Sequence, residues 1–260
     1  MKAPQLFLTL LFGISLFAQN NTNKNRYQYS LILNTDTKID MVLDINNDTS
    51  YFAEKLFISY QNNLLHASQE KDKKISFELL KNAAKQYNRS NYIVIKTTSK
   101  ENITFEKFKN QKFQITENRD DLKWNIDDTL FNWNNFNVKK ATTVCDGRFW
   151  TVYFTKDINV ESGPYKFNNL PGFVVKAWDK TNQFDFEYQG VAKIDAEPIY
   201  VYKPEAYDRI SLHEKKVLKE VFYPHIASKK NDSSRATSET IKDIENAIDL
   251  SFVDDVEYIN

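Results

Sequence analysis

The residue types that most often do chemistry are sparse in this chain. Its three histidines are His66, His213 and His225, and none has a second His or a Cys at metal-ligand spacing. Carboxylates stand side by side at Asp120-Asp121, Asp127-Asp128 and Asp254-Asp255. Neighbours on a strand point to opposite faces, so such pairs do not bracket a scissile bond; they read as solvated loop residues. Cys145 is the single cysteine. It has no partner for an internal disulfide, and the expectation is a small buried hydrophobe. There is no Gly-x-Ser-x-Gly elbow, phosphate loop or dinucleotide fingerprint. No metal, cofactor or catalytic residue is expected.

One stretch stands apart, from Lys140 to Asp179. It holds Lys140, Gly147-Arg148, Trp150, Gly163-Pro164-Tyr165-Lys166-Phe167 and Leu170-Pro171-Gly172-Phe173. Three of the chain's 5 glycines lie here. Glycine allows positive φ and close backbone approach, and proline before glycine sets a turn. The bland reading is a wide loop folded over the end of a sheet, with Phe167 and Leu170 plugging the core. The sharper one is the rim of a cavity. Arg148, one residue past a tight turn, is expected to donate to carbonyls of the 163–172 loop.

The elements that must position these residues are mostly strands. Alternation marks Tyr27–Leu33, Ile39–Ile45, Tyr92–Lys96, Ile103–Phe108, Lys112–Ile115 and Leu122–Ile126. Phe136–Val144 and Arg148–Thr155 flank Asp146-Gly147, the strongest hairpin signal present. Phe173–Trp178 and Phe184–Tyr188 flank a polar turn at 179–182. Serial hairpins with one apolar face predict an antiparallel meander. Helices are predicted at Phe77–Tyr87, on the spacing of Leu80, Ala83, Ala84 and Tyr87, and at Ser211–Phe222. Ser211 and Glu214 form a capping box for the second, whose Lys and Glu residues read as a solvated face. The fold class is mainly β (α+β) with a few peripheral helices.

Composition limits the partners. Lys plus Arg and Asp plus Glu both count 35. Without residues 1–19, whose one charged side chain is Lys2, the net charge is −1. That excludes a general nucleic-acid binder, which needs surplus cations to displace counterions. Lys2 followed by an apolar run from Leu6 to Ala18 has the pattern of a secretory signal peptide, with cleavage expected near Ala18–Gln19. The run is short for a membrane span, and no second one approaches that length, so no integral membrane segment is expected after cleavage. Residues 20–260 read as a single domain with a polar segment at 227–240.

The central block resembles the GLPGLI family, exported proteins of Bacteroidetes-type bacteria. Gly163-Pro164-Tyr165-Lys166-Phe167-Asn168-Asn169-Leu170-Pro171-Gly172-Phe173-Val174 is similar to the family's run into its signature. Lys140-Ala141-Thr142, Gly147-Arg148-Phe149-Trp150 and Tyr153-Phe154-Thr155 match the pattern upstream. Ser50-Tyr51-Phe52 resembles its N-terminal motif, and Asn246–Leu250 a degraded form of its C-terminal one. The chain departs from the pattern where Asn169 replaces the signature's first glycine and Phe173-Val174 replace Leu-Ile. Val138 stands where the family often has a cysteine, and Cys145 where an aromatic residue is usual.

The resemblance implies an exported chain, periplasmic or on the cell surface. It implies a strongly curved antiparallel sheet, bowl-like or a half-barrel, because related domains beside a glycan-releasing amidase have that shape. It also implies an envelope partner such as a TonB-dependent receptor, and no established activity. Three functions follow as expectations: a non-enzymatic binding or assembly protein of the cell envelope; a carrier of an apolar ligand or peptide; or a hydrolase using Arg148, Lys140 or an aspartate near the 163–172 loop. An opposed carboxylate would make Arg148 part of a pocket; a structural salt bridge would remove it from the third reading.

Overall fold

The computed structural model describes residues 25–46, 48–87, 93–108, 111–193, 199, 201 and 204–222. The leader-like segment, the 227–240 segment, His225 and Asn246–Leu250 lie outside the described residues. In chain order the elements are β1 (Asn25–Leu33), β2 (Thr37–Asn46), β3 (Thr49–Glu54), α1 (Lys55–Gln69), α2 (Lys73–Tyr87), β4 (Ile93–Thr97), β5 (Glu101–Phe108) and β6 (Gln111–Asn118). Then come β7 (Asn125–Trp133), β8 (Phe136–Cys145), β9 (Arg148–Thr155), β10 (Phe173–Asp179), β11 (Phe184–Lys193), β12 (Asp208–Ile210) and α3 (Leu212–Phe222).

The twelve strands of the described residues join one sheet, ordered β12-β6-β5-β4-β3-β2-β1-β11-β10-β9-β8-β7. The protein is mainly β, and the sheet is open, with β7 and β12 at its edges. Every pairing is antiparallel except β12 with β6. Two meanders, β1–β6 and β7–β11, meet where β1 pairs with β11.

Hairpin turns have a common cause. Asp146 (φ 51°) and Gly147 (φ 74°) are both left-handed, as a type I′ turn demands. Asn134 (φ 46°) and Asn135 (φ 68°) do the same between β7 and β8, and Asn34 (φ 49°) with Thr35 (φ 72°) between β1 and β2. Asparagine reaches this region because its short amide bonds locally. The polar turn after β10 also forms, with Asn182 at φ 54°.

The main core lies on one face of the sheet. Tyr29, Leu31, Leu43, Phe52, Ile95, Trp150, Val152, Phe173 and Phe186 meet there. A second cluster on the other face joins Val42, Ala53, Val94 and Phe105 to Phe57, Ile58 and Tyr60 of α1 and Ala83 of α2. α1 was not anticipated from sequence. α2 starts four residues before the expected Phe77, and its expected stripe is partly wrong. Ala83 is buried and Leu79 half-buried, while Leu80 is 47% exposed and Ala84 is exposed. α3 has the expected capping box, with Glu214 accepting from the Ser211 backbone N–H (2.7 Å) and Ser211 Oγ accepting from Glu214 N–H (3.1 Å). Its polar face is not wholly solvated: Lys215 is buried, 2.7 Å from Glu106 of β5.

Among the described residues no helix is long and apolar enough to cross a membrane.

Candidate functional site

The connection between β9 and β10 runs over the surface to residue 162 and then turns inward. Gly163 through Asn168 are all buried, and Leu170 with them. The segment turns inward because Pro164 O accepts from Phe167 N–H (3.1 Å) and Tyr165 takes φ 54°. A bulky residue rarely adopts that angle; it costs about 1–3 kcal/mol. Its surroundings hold it: Tyr165 stacks against Phe186 (6.4 Å between centroids) and packs against Phe167 (5.6 Å). Phe167 meets Trp150 edge-on at 4.8 Å and Trp124 at 6.0 Å. Phe167 and Leu170 thus plug the core, which is the bland reading of the sequence.

Two glycines provide space rather than an unusual angle. A Cβ on Gly163 would lie 2.6 Å from Phe167 O, and one on Gly172 would lie 2.4 Å from Thr155 O. Both approaches are to backbone, which cannot step aside. Pro171 lies exposed between Leu170 and Gly172, whose N–H donates to Leu170 O (2.8 Å).

Inward rotation carries Lys166 into a cluster of charges. Its ammonium bonds Asp146 Oδ1 in the β8–β9 turn (2.9 Å) and Glu117 of β6, with side-chain exposures of 5%, 6% and 18%. The Tyr165 hydroxyl donates to Asp146 Oδ2. Burial would push the Asp146 carboxyl up, but Lys166, the Tyr165 hydroxyl and Lys215 outweigh it and hold it below the usual range. Burial would likewise strip Lys166 of its proton, but Asp146 and Glu117 overcome that, and it stays an ammonium. Cys145 is buried, and burial followed by the Asp146 charge pushes its thiol well up, so it is no ready nucleophile.

A second buried pair fixes the neighbouring hairpin. Arg148 Nη1 donates to Asp179 Oδ2 (2.9 Å), and the guanidinium lies 4.7 Å from the Phe184 ring centroid. Asp179 also accepts from the Phe184 backbone N–H (2.9 Å) and the Thr181 hydroxyl. Arg148 was expected to face carbonyls of the 163–172 loop; the carboxylate of Asp179 holds it instead. Trp150, 1% exposed, donates to Cys145 O (3.2 Å). Lys140 belongs to neither cluster. It is exposed on β8, on the opposite face from Ala141, Thr143 and Cys145. Replacing Arg148 by alanine is expected to cost about 2–3 kcal/mol, because a buried carboxylate loses its cation but keeps other donors. The exposed Lys156→Ala should change stability by less than ~0.5 kcal/mol. Equal thermal melts for the two would refute this.

The loop's far end grips the opposite end of the sheet. Asn168 Nδ2 donates to Asn102 Oδ1 of β5 (3.0 Å), and Asn168 O accepts from Trp124 Nε1 (2.7 Å). Asn169 Oδ1 accepts from Arg119 Nε (2.8 Å), and Asn169 Nδ2 donates back to Arg119 O (2.8 Å). Asn169 sits at φ 62°. This accounts for the residue that stands where the resemblance expects glycine: asparagine reaches the left-handed region and adds a two-point clasp. Asn169→Gly should lose roughly 1 kcal/mol through the clasp alone. Asn169→Val should lose more, since a β-branched residue adds about 1–2 kcal/mol of backbone strain. Chemical denaturation of both variants checks the order; a valine variant as stable as the glycine one would contradict it.

Glu117, Asn102, Glu106 and Arg119 carry no local sequence signal that marks them as part of the site. On β5 the polar residues Asn102, Thr104 and Glu106 are buried. Alternation was visible there, but both faces of this strand are covered, so alternation did not tell inside from outside.

The fold is therefore an open, almost wholly antiparallel sheet with the second half of its β9–β10 connection packed into its own core. Among the described residues no group of His, Cys, Asp and Glu is arranged to hold a metal. No family model and no curated protein matches the chain. Solved structures do. Two crystal forms of PNGF-II, in space groups C2 and P21, each align with a TM-score of 0.48 at 15% identity. They cover 75% of this chain and 32% and 33% of theirs, so the chain spans about a third of their length. An uncharacterized conserved protein from Thermus thermophilus aligns with a TM-score of 0.35 at 7% identity, over 74% of this chain and 92% of that one.

Proposed function

We propose that this is an exported GLPGLI-family protein that serves the cell envelope as a non-enzymatic binding or assembly accessory, built on a strongly curved, bowl-like sheet. The observation that carries the reading is the plug. Tyr165, Phe167 and Leu170 fill the interior, and the charged groups of the same block bond one another. A filled interior leaves the outer surface and edges to do the work. A pocket hydrolase would need those groups turned toward substrate; Arg148 faces Asp179 instead.

Curvature is supported by simple arithmetic. β6 and β7 lie near opposite ends of the strand order, yet residues 119–124 join them. Strands about 4.8 Å apart would put them roughly 48 Å from each other in a flat sheet. A connection of that length spans at most about 25 Å. The Lys166 bridge from the β8–β9 turn to β6 asks for the same approach.

The test is capture from envelope extracts of the native bacterium with the tagged, full-length protein. Enrichment of one outer-membrane protein, such as a TonB-dependent receptor, is the expected result. Recovery of only the contaminants seen with an unrelated tagged protein would count against the reading. Native mass spectrometry that retained an apolar ligand would favour the carrier instead.

A further inference from the structure

We propose that Lys166 and Asp146 are the reacting pair of an autocatalytic amide cross-link, with Glu117 as the proton carrier. The proposal is independent of the envelope role above. Three features of the cluster point to it.

First, the nucleophile, the acyl group and a second carboxylate are already in contact. Lys166 Nζ lies 2.9 Å from Asp146 Oδ1 and bonds Glu117 as well. Held groups react at effective concentrations far above those of free ones. Second, the backbone is bent to assemble them. Side chains of consecutive residues in extended chain point apart. The φ of 54° at Tyr165 lets Tyr165 and Lys166 both reach Asp146. A plain ion pair needs only the lysine. The tyrosine hydroxyl donates to Asp146 Oδ2, where it polarises the carboxyl group and would stabilise negative charge as a bond forms at its carbon. Third, the Lys166 and Asp146 side chains are buried beside aromatic rings. Trp150, Phe167 and Phe186 surround Tyr165. An amide formed there is shielded from hydrolysis.

The step balances without any outside reactant. The resting ammonium cannot attack and a carboxylate cannot be attacked, so one proton first passes from Lys166 Nζ to Asp146 Oδ1. The neutral amine then adds to Cγ of the neutral acid, making the C–N bond and a tetrahedral centre. Glu117 takes a proton from the nitrogen and hands it to Oδ1, the C–Oδ1 bond breaks, and one water leaves. Glu117 ends as a carboxylate. Nothing is oxidised or reduced. The reacting form is rare, so closure is slow and happens once per chain. With a single cysteine the protein has no internal disulfide; this amide would staple the loop to the β8–β9 turn in its place.

Intact-mass spectrometry of the denatured full chain, followed over weeks after refolding, is the test. Wild type is expected to become lighter by one water. Its tryptic digest is expected to contain residues 141–148 joined to residues 157–176. K166R keeps the positive charge and E117Q removes the proton carrier, and both are expected to stay at full mass. A wild-type chain that keeps its full mass, with no joined peptide, overturns the proposal. So does water loss that persists in K166R, which would place it in a succinimide at Asp146-Gly147. The wild-type peptide map decides the matter even if a variant fails to fold.

Discussion

Lys166→Met is expected to cost about 3–5 kcal/mol against freshly refolded wild type, because it leaves buried carboxylates without their shared cation. The loss should also reverse the pH dependence. In the wild type Asp146 is held below its ordinary range. A depressed carboxyl contributes stability that is present above about pH 4, its unfolded value, and fades as the pH falls through the folded one. Without the ammonium, burial dominates and the same carboxyl is pushed up. It then contributes stability below about pH 4 and loses it as the pH rises. The groups facing it are Glu117, Cys145, the Tyr165 hydroxyl and, farther off, Lys215. Of these only Lys215 brings positive charge to offset burial. Urea midpoints between pH 4 and 8 should therefore fall with pH in the variant while holding in the wild type. Parallel profiles would show that Lys166 does not neutralise Asp146.

Phe167→Ala is the second large effect. The ring is 1% exposed and touches Trp150, Trp124, Tyr165 and Phe186. Truncation of such a side chain costs about 3–5 kcal/mol. Here the cost has a visible location, since the ring is also what pulls the 163–172 segment inward. The variant is expected to bind a hydrophobic dye and to be cut by trypsin at Lys166, which wild type buries. Phe77→Ala, at a ring 65% exposed, should change stability by less than ~0.5 kcal/mol. A protease-resistant Phe167→Ala protein with an unchanged melt would mean that the loop is held without its plug.

Local signals in the sequence were enough for nine strands and for the Asp146-Gly147 turn, because alternation and left-handed turns depend on neighbours; β3 and β12 were not expected, and the strand expected at Leu122–Ile126 meets β7 only at Asn125-Ile126. The turns at Asn34-Thr35 and Asn134-Asn135 were missed because neither pair contains the glycine that marks a type I′ turn. α1 was missed because Leu56, Phe57, Ile58 and Tyr60 mix aromatic and β-branched types that do not mark a helix. The candidate site was half legible. Scarce Gly and Pro located the loop, and Lys166 and Tyr165 stood within it. Their shared partner Asp146 was marked too, but only as a turn residue. Glu117, and Asn102 that holds Asn168, come from other strands, and only the folded sheet brings them near.

The position of β1 has a consequence for how the chain becomes a protein. β1 lies mid-sheet, with β2 on one side and β11 on the other, and most of the described chain separates it from β11. The first meander can zip up from local hairpins, but its β1 side stays a bare edge until β11 is made. Pairings so distant in sequence form slowly, because loop closure comes before any contact rewards it. A fragment ending after β6 is thus a sticky half-sheet, and the waiting edge is where it would pair with the wrong chain.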